Sequence, residues 1–322
     1  MIISNTTIRI LLGALADPSS CYVLGAGASY PLVPLTSQIP NLVKQAFSRL
    51  AGAFPISICC DSPLYKLVHP PHSFDAYTLE DWKWLHSTPA TIAVLLEQFI
   101  TPSLESCPPQ YWVFRLFPPT ASIVSFNWDR LAGYFCPQRV INPHGRTAAR
   151  RRLSEQELRE FISWTQDISD TSGKGWLTAL LILPGEEEGS HMSKTREIIF
   201  EKWRTCSSLI SIGYSLDLTP WGYDKVWQEI FLEAMKENPA SIHIISPDAV
   251  ELVGELSDKL HRSVNVFSWA VRWNLLSRAL ILAANRSGIY CLETAMGRPD
   301  TIITEYKRLE QIQQIQEQIQ GT

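Results

Sequence analysis

The stretch CYVLGAGASYP, residues 21–31, constrains the fold more than any other part of the sequence. It begins as a short apolar strand and continues directly into glycines at positions 25 and 27. Because glycine has no Cβ, the backbone can turn sharply after the strand and approach a ligand closely. If a helix starts just after the turn, its free N–H groups face an anionic group such as a diphosphate. The same pattern also occurs in ordinary tight turns, so the rest of the chain has to distinguish a nucleotide site from a bare turn.

The composition is that of a globular protein with a substantial core. The chain has 322 residues, of which 45% are apolar and 19% are charged, enough for one large domain or two smaller ones. Its net charge of −4 gives no general argument for binding nucleic acid or an anionic membrane surface. No apolar run is long enough to span a bilayer, and the first residues lack the basic region of a secretory signal. We therefore expect a cytoplasmic protein.

The seven cysteines predict neither disulfides nor a zinc site. Their number is odd and no two of them have the C-x-x-C spacing, which indicates a set of reduced thiols. His69 and His72 are too isolated for a metal site, and no other cluster of histidine and cysteine supports one. We therefore expect no bound metal.

Short apolar strands alternate with helical segments along most of the chain. Strands are predicted at 21–24, 121–126, 139–142, 209–212, 242–245 and 264–267. Helical spacing of apolar residues precedes the first strand, at 5–16, and recurs after the later strands. This alternation predicts an α/β fold, in which a Rossmann-like parallel sheet is covered by helices on both faces.

Two segments interrupt the alternation, and a third ends it. Residues 36–117 are interpreted as a mostly helical insertion between the first two strands, and residues 149–175 as a further helical segment. We assign residues 1–285 to one sheet domain and residues 286–322 to a C-terminal helical tail.

The tail has an apolar side with two interpretations. Leu309, Ile312, Ile315 and Ile319 lie on one side of a helix that is otherwise rich in Gln and Glu. That side either packs back on its own domain or forms a contact between copies of the chain, and four positions are too few for a coiled coil.

Polar segments follow five of the predicted strands. They are GAGAS at 25–29, FNWD at 126–129, NPHG at 142–145, GYSLD at 213–217 and SPD at 246–248. In a parallel sheet these segments all lie at the carboxyl ends of the strands, where α/β proteins bind their ligands. The sequence therefore predicts a polar cleft at this edge of the sheet.

His144 and Asn127 are the candidate reactive residues of this cleft. A single histidine is more often structural, but here Asn127 and Asp129 are expected at a neighbouring strand end. A histidine in that position can accept or polarise the proton of a ribose hydroxyl, and an asparagine can position a water or bond the ribose. Asp129 has an alternative interpretation as a helix cap.

Ser215, Asp248 and the arginines at 146–152 each have two interpretations. Ser215 can cap the next helix or bind a phosphate, and these roles are compatible. Asp248 can accept hydrogen bonds from an adenosine ribose, although the first turn of a helix suits it slightly better. The arginines form either a solvated face or a contact with a diphosphate or a partner.

The ordered series of motifs resembles the sirtuin superfamily. GAGAS after a strand, then S-F-N-W-D, a strand into H-G, I-G-Y-S-L and a strand ending near S-P-D together span roughly residues 10–270. The chain looks closer to the sirtuin-like domains of bacterial antiphage defence than to protein deacetylases. Trp203 in the helix before GYS and the Leu183-Pro184 pair also resemble the defence group.

The resemblance implies a role for each matching position. The implied residues are Gly25, Ala26, Gly27 and Ser29 at the NAD⁺ diphosphate, Asn127 and Asp129 at the nicotinamide ribose, His144 as the catalytic histidine, and Gly213 and Ser215, with Asp248 nearby, at the adenosine-side phosphate. The chain lacks the two zinc-binding C-x-x-C pairs of the deacetylases. It also has YPLVPLT at 30–36 where they have a G-I-P-D-F-R-like segment. Both departures argue against an acetyl-lysine peptide as substrate.

The expected function is therefore hydrolysis of NAD⁺ itself. An NAD⁺ glycohydrolase would release nicotinamide and ADP-ribose, and the resemblance implies an antiviral defence effector that depletes NAD⁺. It also implies activation by self-assembly or by a partner sensor, such as an ATPase or a nucleic-acid-guided protein. The alternatives are a non-catalytic module that binds NAD⁺ or ADP-ribose, and a scaffold subunit with a vestigial pocket.

Overall fold

The computed structural model describes residues 5–35, 96–147, 192–214, 225–260, 265–288 and 298–320, with isolated positions 38, 39, 42, 93, 156, 180, 181 and 292. Most of the predicted insertion, almost all of the predicted helical segment at 149–175, and Ser215 lie outside the described residues.

Six parallel strands form the central sheet. The strands of the described chain are β1 Cys21–Leu24, β2 Ser122–Ser125, β3 Arg139–Ile141, β4 Gly145–Arg146, β5 Leu180–Leu181, β6 Ser208–Ile212, β7 Ser241–Ile245 and β8 Val266–Trp269. The order across the sheet is β3-β2-β1-β6-β7-β8, and β4 and β5 form a separate antiparallel pair. The chain fills one side of β1 with β2 and β3, then crosses to β6 on the other side. This is the doubly wound order of a Rossmann-like fold, which confirms the predicted fold class.

The strand boundaries agree with the sequence prediction within one residue, except for the last strand. That strand was predicted at 264–267 and lies at Val266–Trp269, so its predicted bounds were wrong by two residues. The strand was predicted to begin at residue 264 because Val264 and Val266 show the alternation of apolar residues that is typical of a strand. The actual position is set by pairing with β7, in which Val266 lies opposite Ile242 and Trp269 opposite Ile245.

Helices cover both faces of the sheet. They are α1 Asn5–Ala16, α2 Ala26–Ser29, α3 at residues 96–106, α4 Pro109–Trp112, α5 Leu131–Phe135, α6 Ser193–Thr205, α7 Lys225–Glu237, α8 Ala249–Leu260, α9 Trp273–Ser287 and α10 Pro299–Gln320. In β1, Tyr22 and Leu24 pack into the apolar cluster with α1, α4 and α9, whereas Cys21 and Val23 pack into the cluster with α6 and α7. Both faces of a central strand are thus buried, as expected of a parallel sheet.

The C-terminal helix α10 packs back on the domain through its first half. Ile302 and Tyr306 are buried in the cluster that contains α9, and Arg286 of α9 forms an ion pair with the buried Glu305. Ile312 and Ile315, in the second half, are exposed. No helix in the part of the chain that the structure describes has the length and apolar character needed to cross a membrane.

Candidate functional site

A cavity of about 540 Å³ lies at the carboxyl edge of the sheet. Every strand of the sheet contributes a residue that follows it: Gly25, Asn127, His144, Gly213, Ser246 and Arg272 for β1, β2, β3, β6, β7 and β8. The volume is in the usual range for a small-molecule site. β1 and β6 lie at the switch point of the topology, where doubly wound sheets open a crevice for a ligand.

The structure brings nine of the ten predicted site residues to this one cavity. They are Gly25, Ala26, Gly27, Ser29, Asn127, Asp129, His144, Gly213 and Asp248, and the tenth, Ser215, is not described. Among the described residues, no group of three His, Cys, Asp or Glu side chains could hold a metal ion.

The glycines join the loops that follow β1 and β6. Gly25 N–H donates to Ile212 O, and Gly27 N–H donates to Gly213 O, both at 3.0 Å. A Cβ on Gly25 would lie 2.4 Å from Tyr214 Cα, and one on Gly27 would lie 2.8 Å from Gly213 Cα. Gly213 has φ +59°, a left-handed conformation that favours glycine. The glycine spacing therefore serves a backbone junction that forms one wall of the cavity, and the helix that follows, α2, is a single turn.

A buried hydrogen-bond network supports Asn127. Its Nδ2 donates to Ser29 Oγ at 2.9 Å and to Tyr111 Oη at 3.3 Å. Ser29 Oγ donates to Asp129 Oδ2 at 2.5 Å, and the Ser29 and Tyr111 hydroxyl oxygens are also 2.5 Å apart. The other carboxylate oxygen of Asp129 accepts from Leu131 N–H at 2.9 Å, so Asp129 caps α5 as well as holding Ser29. Burial raises the pKa of Asp129 above its ordinary value.

The carbonyl oxygen of the Asn127 side chain has a different environment. Asn127 Oδ1 is buried and has no hydrogen-bond partner among the described residues. An unpaired buried acceptor costs about 1–3 kcal/mol, so such atoms are rare in folded proteins. Asn127 is one of the residues that line the cavity, so its side chain brings an unused hydrogen-bond acceptor to the cavity wall.

His144 lines the cavity and packs against an aromatic wall. Its side chain packs edge-to-face on Phe126, with ring centroids 4.9 Å apart, and the residue is 8% exposed. Phe126 in turn stacks on Tyr214, with centroids 4.5 Å apart and planes at 7°. The ends of β2, β3 and β6 are thus joined by aromatic contacts. These contacts were not predicted, although both aromatics lie within the polar segments FNWD and GYSLD.

A buried carboxylate, Glu97, was also missed. Glu97 of α3 is 1% exposed and accepts from Arg130 Nη2 at 2.9 Å and from Thr147 Oγ1 at 2.6 Å. This cluster ties α3 to the loop after β2 and to the segment after β4. Arg130 and Thr147 are 33 and 50 residues from Glu97 in the chain, so no local spacing indicates the cluster.

The opposite side of the cavity is formed after β7 and β8. Asp248 directly precedes α8, and its carbonyl accepts from Leu252 N–H at 3.2 Å, which places it at the start of a helix as the slightly preferred interpretation expects. Arg272 lines the cavity as well and was not predicted. Its Nη1 pairs with Glu317 Oε1 of α10 at 2.8 Å.

The sequence matches no family model and no curated protein. Similar solved structures include a Sir2 enzyme bound to a propionylated peptide, with a TM-score of 0.46, 15% identity and coverage of 90% of this chain and 100% of that one. A Sir2 homologue in complex with ADP-ribose gives a TM-score of 0.45 and 13% identity over 86% of this chain and 96% of that one. The structure of Sir2 with a p53 peptide and NAD⁺ gives a TM-score of 0.43 and 14% identity, with coverage of 89% of this chain and 99% of that one. The strand order of this chain itself defines its doubly wound fold.

Proposed function

We propose that this protein is an NAD⁺ glycohydrolase. It would cleave the bond between nicotinamide and ribose with water, giving nicotinamide, ADP-ribose and a proton. The observation that carries the proposal is the meeting of His144, the unpaired acceptor Asn127 Oδ1 and the glycine junction at one cavity.

The cavity suits a dinucleotide. The junction of Gly25, Gly27 and Gly213 lets backbone rather than side chains form the wall at the switch point, where a diphosphate can approach closely. Asp248 lies on the far side of the same cavity, within the part built by β7, and is the candidate acceptor for adenosine ribose hydroxyls.

The chemistry requires positioning and electrostatics more than a strong nucleophile. Nicotinamide leaves as a neutral group from a cation, and the ribose develops the charge of an oxocarbenium ion. Asn127 Oδ1 can accept a hydrogen bond from a ribose hydroxyl or from the attacking water, and His144 can polarise a ribose hydroxyl. The stacked Phe126 and Tyr214 form an apolar wall beside them, which strengthens such polar contacts.

The segment after the glycines supports NAD⁺ itself as the substrate. Tyr30, Val33, Pro34 and Leu35 line the cavity in place of the acidic and arginine residues of the deacetylase segment. An apolar wall there offers no ionic partner for a second, peptidic substrate.

The activity test follows NAD⁺ by chromatography with purified protein. We expect wild type to release nicotinamide, and His144→Ala and Asn127→Ala to be slower by a factor of about 10² or more. Asn285→Ala, an exposed position on α9, is the matched control and should keep the wild-type rate.

Two other outcomes are informative. If wild type consumes NAD⁺ and both cavity variants consume it equally fast, the site assignment is wrong. If NAD⁺ raises the melting temperature without nicotinamide release, even under activating conditions, the protein is a binding module instead.

We further propose that the protein acts as an antiviral defence effector that depletes NAD⁺. Its activation would come from self-assembly or from a partner sensor, such as an ATPase or a nucleic-acid-guided protein. Cellular NAD⁺ should fall after phage infection in bacteria that carry the wild-type protein with its partner, and should stay constant with His144→Ala. A fall of equal size with both would contradict this role.

A further inference from the structure

The orientation of the Asn127 amide is decided by the proton of Ser29. The two ends of an asparagine side chain have nearly the same shape, so hydrogen bonds determine which end joins the network and which end is left unpaired. Ser29 has a single hydroxyl proton, and a carboxylate can only accept, so that proton goes to Asp129 Oδ2. Ser29 Oγ must then accept from its other neighbours, which selects the Nδ2 end of Asn127 as its partner.

Tyr111 is the second determinant of this orientation. Its hydroxyl lies 2.5 Å from Ser29 Oγ and 3.3 Å from Asn127 Nδ2, and the residue is fully buried. With the Ser29 proton given to Asp129, Tyr111 donates to Ser29 and accepts from Asn127. Tyr111 is held on α4, which is anchored to the cavity wall by Trp273 Nε1 donating to Gln110 O at 3.0 Å.

We propose that Tyr111 and Asp129 are positioning residues that hold the Nδ2 end of Asn127 in the buried network, so that its carbonyl oxygen is the end left to accept a hydrogen bond from a ligand. A fixed acceptor at this point selects ligands that present a hydrogen-bond donor. For the proposed NAD⁺ glycohydrolase, on which only this part rests, the donor is a hydroxyl of the nicotinamide ribose. Neither residue needs to contact the ligand, because both act through the Asn127 amide.

The first experiment uses the ligand-free protein and does not depend on its function. In ¹⁵N-labelled protein, the Asn127 side-chain NH₂ signal is identified by its loss in Asn127→Ala. We expect two well-separated NH₂ proton signals that exchange slowly with water, because each proton of Nδ2 is held in a buried hydrogen bond, one to Ser29 and one to Tyr111. In Tyr111→Phe the signal should shift and exchange at least about 10-fold faster, since one acceptor has been removed.

Tyr22→Phe is the matched control for the general effect of deleting a buried tyrosine hydroxyl. Tyr22 is equally buried, and its hydroxyl donates to Leu15 O at 2.7 Å, away from Asn127. It should leave the Asn127 signal unchanged. If Tyr111→Phe also leaves it unchanged, the positioning role is refuted.

The second experiment measures ligand selection in a His144→Ala background, which slows turnover. NAD⁺ is compared with the two analogues that lack the 2′- or the 3′-hydroxyl of the nicotinamide ribose. One analogue should bind about 5- to 10-fold more weakly than NAD⁺, the usual effect of one hydrogen bond. That penalty should shrink to about 2-fold or less in Tyr111→Phe, and should be unchanged in Tyr22→Phe.

The two experiments separate the two proposals. If NAD⁺ does not bind the wild-type cavity, the proposed function fails while the amide signal still tests the positioning role. If NAD⁺ binds and the hydroxyl penalty is the same in both tyrosine variants, the positioning proposal fails alone. Should Tyr111→Phe not fold, Ser29→Ala removes the shared partner and is expected to give the same two effects.

Discussion

Two histidines show how strongly the surroundings decide what a side chain contributes. His144 follows β3 at the cavity, whereas His243 lies within β7 and is buried among aromatic rings, stacked on Phe267 at 4.8 Å. Its Nδ1 accepts from Trp269 Nε1 at 3.2 Å, so the proton of the neutral ring is on Nε2, which faces Ser241 Oγ at 3.1 Å. The sequence predicted the strand, but the aromatic partners of His243, Phe267 and Trp269, come from β8 and could not be inferred from local pattern.

The environment of His243 predicts a pH dependence of stability. Burial lowers the pKa of His243 from 6.5 to about 4. Between these two pH values the ring is protonated in the unfolded chain but stays neutral in the folded protein. The contribution is fully present above pH 6.5 and is lost as the pH falls toward 4. Between pH 7 and pH 5 the free energy of unfolding should fall by about 2 kcal/mol more in wild type than in His243→Gln, measured by urea unfolding. Equal pH dependence in both proteins would contradict this assignment.

The loops that follow β1 and β6 depend on each other, although more than 180 residues separate them. The sequence predicted both loops and their position at one edge of the sheet, because apolar runs and glycines are local signals. It did not predict that the glycines of one loop contact the backbone of the other. It also missed Tyr111, because a short helix between two strands gives no sign of which cavity it supports.

This dependence predicts opposite effects for two glycine substitutions. In Gly213→Ala, a Cβ would lie 2.4 Å from Gly27 C, and the residue has a positive φ, so the free energy of unfolding should fall by more than about 2 kcal/mol. Gly254 lies in α8 with nothing within 4 Å of a Cβ, so Gly254→Ala should stabilise by about 0.5–1 kcal/mol. Thermal unfolding measures both. A Gly213→Ala protein as stable as wild type would show that the junction is adaptable.

At the scale of the whole molecule, sequence patterns predict the elements, but the order of the strands across the sheet is seen only in the structure. Alternating strands and helices sufficed to predict the fold class, and the position of polar segments after strands sufficed to predict the cleft. The crossing from β3 to β6 was not predictable, because the pairing of strands is set by contacts between distant segments. Contacts with distant segments also determine the environment of the tail. Its apolar residues follow one helical pattern, but Ile302 and Tyr306 in the first half of α10 are buried, whereas Ile312 and Ile315 in the second half are exposed.

The two halves of α10 should therefore respond differently to the same substitution. Ile302 is 1% exposed and packs on the α9 side of the core, so Ile302→Ala should lower the free energy of unfolding by about 2–5 kcal/mol. Ile315 is 55% exposed, so Ile315→Ala should change it by less than about 0.5 kcal/mol. If the second half also forms a contact between copies, replacing Ile312 and Ile315 by Ser lowers the mass seen by sedimentation without changing monomer stability. A large stability loss in Ile315→Ala would instead mean that the second half also packs on its own domain in solution.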